Sequence, residues 1–170
     1  MDLMSDSADA VKKLKDACDR AYENNMNSCS NAVWDLIKAL VNPSEKYQQA
    51  NDFIDYWDDN WKSVSLEDGF KLANQGVVVV GGLQVPGGNG HVIAIYPGTK
   101  IPNGGYQYFY KKGNKYLVLP TSGMYPRALS TSMSRRWPGT LSKGDKTVWD
   151  PWADNDKFEQ VEFWAPPASF

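Results

Sequence analysis

Two patterns in this chain switch at the same residue, Gly76. Before it, apolar side chains recur every three or four positions, the period of an amphipathic helix; after it, they fall in short β-branched or alternating runs, the period of strands. A chain that segregates helices from strands in this way does not build the alternating units of a parallel sheet. The pattern predicts an α+β fold, with N-terminal helices packed on an antiparallel β-sheet. Charge divides at the same point: residues 1–76 hold 14 acidic and 8 basic side chains, residues 77–170 hold 6 and 10. A net −6 half therefore joins a net +4 half. The length of 170 residues suits a single domain over 1–170, helical to about residue 76 and sheet beyond it.

Val11, Leu14, Cys18 and Tyr22 share one face of a first helix. Cys29, Val33, Ile37 and Leu40 share one face of a second, which must stop before Pro43; Asn24, Asn25, Asn27 and Ser28 precede it as candidate caps. Ala50, Phe53, Ile54, Trp57 and Trp61 point inward from a third, with Asp52, Asp55, Asp58 and Asp59 on its wet side. Ser65 and Asp68 form a capping-box pattern for a short fourth helix, which Gly76 ends. Beyond it, residues 77–80 read as a buried strand, and Gly81 and Gly82 open a glycine-rich loop that runs to Gly90. His91 starts the next strand, which Pro97 and Gly98 close. Residues 106–110 and 115–119 form a hairpin around Gly113 and Asn114, with weaker strand signals at 146–149 and 158–164. Residues 120–144, rich in Ser, Thr, Pro, Gly and Arg, read as loops.

Several function classes drop out on composition. A net charge of −2 does not suit a general nucleic-acid binder. No apolar run approaches the length of a membrane span, so no membrane insertion is expected. Two cysteines and one histidine cannot alone fill a four-ligand zinc site, so no structural metal is expected and no cofactor is called for. The acidic start of the chain lacks the basic and apolar regions of a signal peptide.

The residues left to carry chemistry are few. Cys29 falls in the first turn of the second helix, where the dipole and unpaired N–H groups favour a thiolate and could hold an oxyanion. Cys18, mid-helix on an apolar stripe, reads as a structural cysteine. His91 is the single imidazole, and a helix-start Cys with a strand-start His is the pair that thiol acyl transfer needs. Thr121, with Ser122 and Gln107 behind it, is the candidate for orienting the imidazole. Gly90 and Ser28, which flank the pair, are candidate substrate contacts, Gly90 by letting substrate backbone approach. Trp34, Phe53, Trp57 and Trp61 read as core.

The segments NSCSNAVWDLIKAL, ANDFIDYWDDNW, ANQGVVVVGGL and GHVIAIYPG, in this order, resemble the papain-like peptidoglycan amidases of the CHAP and NlpC type. Within them the chain is most similar to the first family of type VI secretion amidase effectors. The resemblance covers about residues 25–98 and fades by about residue 125. It implies a papain-like (NlpC-type) cysteine peptidase fold, Cys29 as nucleophile and His91 as base. It further implies hydrolysis of the amide between D-glutamate and meso-diaminopimelate in the peptidoglycan stem peptide. With the family come a cognate immunity protein, a type VI secretion component as carrier, and a monomer made in the cytoplasm without a signal peptide, secreted by injection and acting in the periplasm of target bacteria. The chain departs from the family in residues 100–115, which look like an inserted hairpin beside the active site, and in lacking a cysteine on the strand that follows. Arg127, Arg135 and Arg136 either attract stem-peptide carboxylates or are ordinary surface charge. A phage-type or housekeeping wall amidase cutting another bond, a non-catalytic wall-binding module and a thiol acyltransferase are the alternatives.

Overall fold

A computed structural model describes residues 3–133 and 137–168. Three helices come first: α1 (Leu3–Asn24), α2 (Cys29–Leu40) and α3 (Ala50–Asn60). Then follow β1 (Lys62–Val64), α4 (Leu66–Ala73), β2 (Val80–Leu83), β3 (His91–Pro102), β4 (Gln107–Tyr110), β5 (Lys115–Val118), β6 (Met124–Ser130), β7 (Ser142–Thr147), α5 (Asn155–Phe158) and β8 (Glu162–Ala165). Six strands pair antiparallel in the order β1-β8-β2-β3-β6-β7, and β4 and β5 form a separate two-stranded ribbon. The α+β architecture expected from the switch at Gly76 is present.

Strand β3 lies between β2 and β6 and is covered on both faces, so Val92, Ile93, Ala94 and Ile95 are all fully buried. On one face, Ile54 of α3 reaches Val92 over Gly82, and the Tyr96 hydroxyl donates to Asp19 of α1 at 2.8 Å. On the other, the α4 backbone at Gly69 presses on Ile95 and Val79. The third helix supplies an aromatic seam: Phe53 stacks on Trp57 with centroids 5.2 Å apart, and Trp57 meets Trp61 and Trp164 at 5.9 Å each. Each such buried ring contributes on the order of 2–3 kcal/mol from the apolar surface it removes from water. Ser65 caps α4 by accepting the Asp68 N–H. Gly76, at φ +88°, turns the chain where a side chain would strike Ala10 of α1.

The structure departs from the sequence expectations at specific places. Gly81 and Gly82 lie inside β2 instead of opening the loop, because the Phe163 ring fills the space beside one and Ile54 and the His91 carbonyl fill it beside the other. Pro97 and Gly98 do not end β3; a register shift between Tyr96 and Ile101 absorbs them and the strand continues to Pro102. The stretch expected to be loops contains β6, which pairs with the central strand. Leu40 is exposed, and Leu36 takes its place in the core. The Arg127 guanidinium donates to the carbonyls of Thr99 and Gly144, both at 2.9 Å, and straps β3 to β7. Arg135 and Arg136 lie outside the described residues.

Candidate active site

Ser28 ends an extended segment at φ −152° and caps α2, its hydroxyl accepting the Asn31 N–H at 3.2 Å and the Asn31 side-chain amide at 2.8 Å. The Ser28 oxygen is thus engaged by the helix start, with the Ser30 hydroxyl 3.3 Å away. Capping leaves the first N–H groups of α2 without helical acceptors. The backbone N–H groups of Val92 on β3, then of Ser30 and Cys29, favour a negative charge on the Cys29 sulfur. The nucleophile candidate thus sits beside the residue that follows His91. Burial pushes its thiol up, and the three N–H groups act against that rise.

His91 Nε2 lies 2.9 Å from the Ser130 hydroxyl, and that hydroxyl donates to the Thr140 carbonyl at 2.8 Å. With its only proton committed to Thr140, Ser130 must accept from His91, so Nε2 carries the ring proton and Nδ1 is left as the base. Trp152 closes edge-on against the imidazole with centroids 5.4 Å apart. Loss of water there pulls the His91 imidazole down to about 4. At neutral pH, then, the Cys29 thiol and the His91 imidazole are both neutral. The two halves are pinned by consecutive residues: Ser130 holds the imidazole, and the Thr131 hydroxyl donates to the Ser28 carbonyl at 3.0 Å, fixing the start of α2.

The expected orienting residue, Thr121, is not at His91. It is exposed beside Gly105 and precedes the end of β6 opposite to Ser130. Ser122 is taken up by Asn103, and Gln107 lies on the β4–β5 ribbon. At Gly90, Asn51 and the Leu83 carbonyl fill the space where a side chain would be. Asn51 braces the glycine-rich loop from α3, donating to the Val85 and Gly88 carbonyls at 3.0 Å and accepting the Val85 N–H at 3.1 Å. Cys18 is fully buried, its thiol pushed well up by desolvation, and both cysteines are free. Ser130, Thr131 and Trp152 escape sequence reasoning; the one signal for Ser130 is its place after the buried pair Ala128 and Leu129.

Among the described residues no three His, Cys, Asp or Glu side chains gather where they could share a metal ion, and no helix is long and apolar enough to cross a membrane. No family model matches the chain, and no curated protein matches it significantly.

Proposed function

We propose that this protein is a papain-like, NlpC-type cysteine amidase that hydrolyses the D-glutamyl–meso-diaminopimelate amide of peptidoglycan stem peptides. One observation carries the reading: the Ser130 tether leaves Nδ1 of His91 as the base, while the Cys29 sulfur lies at a helix start against the neighbouring Val92 N–H. In the proposed reaction, His91 Nδ1 takes the thiol proton as Cys29 Sγ bonds to the amide carbonyl carbon. The negative oxygen that develops is stabilised by N–H groups at the start of α2. Collapse breaks the C–N bond, the amine leaves with the proton from His91, and a thioester remains. Water then adds, giving its proton to His91, and the C–S bond breaks to release the carboxylic acid and the thiol. The bond specificity, delivery by a type VI secretion component and inhibition by a cognate immunity protein come from the sequence resemblance and belong to the same proposal.

Digestion of purified meso-diaminopimelate-type sacculi with wild-type and Cys29→Ala protein, followed by mass spectrometry of the released fragments, tests it. Fragments ending at D-glutamate with the wild type alone are the expected result. Release of nothing by folded wild-type protein overturns the reading.

A further inference from the structure

The β4–β5 ribbon stands outside the main sheet and turns an apolar face to solvent. Its register puts Phe109 opposite Tyr116 and Gln107 opposite Val118 on that face. Phe109 is 47% exposed, Val118 59% and Tyr116 70%, with the two rings edge to face at 5.3 Å. The opposite face carries Tyr108, which packs on Trp137 at 5.2 Å. Exposed Lys111, Lys112 and Lys115 crown the tip. From residue 69 to residue 144 the sequence contains no Asp or Glu, so this segment offers these lysines no carboxylate of its own.

The ribbon is also fixed to the frame that holds His91. Gly104 N–H and the Tyr106 hydroxyl both donate to Asp150 Oδ1 at 2.9 Å, and the Trp137 indole donates to the Asp150 carbonyl at 2.7 Å. Thr140, whose carbonyl holds Ser130, donates its hydroxyl to the Trp137 carbonyl at 2.8 Å.

We propose that this outer face docks the anionic glycan–peptide polymer, so that the enzyme takes assembled wall in preference to free stem peptide; the inference rests on the peptidoglycan reading above. Charge complementarity selects the occupant. Stem carboxylates repeat along the polymer and match Lys111 and Lys112 at the tip, while sugar C–H faces stack on Phe109 and Tyr116. The Tyr116 hydroxyl and the Gln107 amide, set among the apolar groups, suit a hydroxyl-bearing strand better than hydrocarbon. A second contact on one polymer raises the local concentration of cleavable amides at Cys29.

The test is co-sedimentation of Cys29→Ala protein with sacculi, with and without the exposed substitutions Phe109→Ser, Tyr116→Ser, Lys111→Gln and Lys112→Gln, with circular dichroism to verify folding. Retention is expected to fall about tenfold, and in the Cys29 background the ratio of sacculus to soluble-peptide hydrolysis is expected to fall by a similar factor. Equal retention with and without the substitutions overturns the proposal. So does equal ribbon-dependent retention on phosphatidylglycerol vesicles, which would reassign the face to lipid. Failure of wild-type cleavage with ribbon-dependent retention intact would sink the amidase and leave the docking surface. Normal cleavage with ribbon-independent retention would sink the docking surface alone.

Discussion

The aromatic seam of α3 and the carboxylate of Asp150 are both buried, yet they hold the molecule together by opposite means. Phe53, Trp57, Trp61 and Trp164 adhere by excluding water, through contacts that tolerate small shifts. Asp150 is 1% exposed and accepts from Gly104, Tyr106 and twice from Thr147, so it fixes the β4–β5 ribbon and the end of β7 by direction. The seam supplies cohesion between α3 and β8; the carboxylate supplies geometry to the half that carries His91.

That contrast can be broken most directly at Trp57. Trp57→Ala should cost about 4 kcal/mol and lower protection of amides throughout the sheet and helices, as read by denaturant melts and hydrogen exchange. Asp150→Asn should cost about 3 kcal/mol, with faster exchange confined to the ribbon and the β7 end while α3 keeps its protection. Uniform loss of protection in both variants would mean the two regions are one cooperative unit.

A third experiment concerns His91. In the unfolded chain its imidazole charges near 6.5, but in the folded site it stays neutral down to about 4. The unfolded state therefore binds the proton first, and stability falls as pH drops from 6.5 toward 4. The loss is about 2 kcal/mol after allowance for partial exposure, and it should be present in wild type and absent from His91→Asn when both are melted across that range. An identical pH dependence in both proteins would show that the imidazole is charged and hydrated in the site. Smallest is Ser28→Ala, expected to cost about 1 kcal/mol through the lost cap, with slower alkylation of Cys29 as the start of α2 frays. Unchanged alkylation would show that Thr131 alone fixes that helix start.

The helical half is almost wholly legible in the sequence because burial on a helix writes a period. Leu14, Cys18, Val33, Phe53 and Trp57 announce their face by spacing, and Ser28 and Ser65 announce the helix starts. Cys29 and His91 are legible because the chain has so few groups of their chemistry. Ser130 is not, since a serine among Ser, Thr and Pro carries no local mark, and β6 owes its strand form to β3 and β7 on either side. The glycines of β2 mislead for a related reason: Phe163 and Ile54, distant in sequence, occupy the space that makes them necessary. Thr121 fails as the orienting residue because strand β6 lies between it and the imidazole, a strand that local propensity does not reveal.

The pinning of Cys29 and His91 by Ser130 and Thr131 has a consequence in time. A chain leaving the ribosome displays the cysteine and the histidine long before the residues that bring them to bear on each other. Until residue 131 has been made, neither the Ser130 tether to His91 nor the Thr131 tether to the Ser28 carbonyl can form. Both tethers thus exist only in finished copies of the chain.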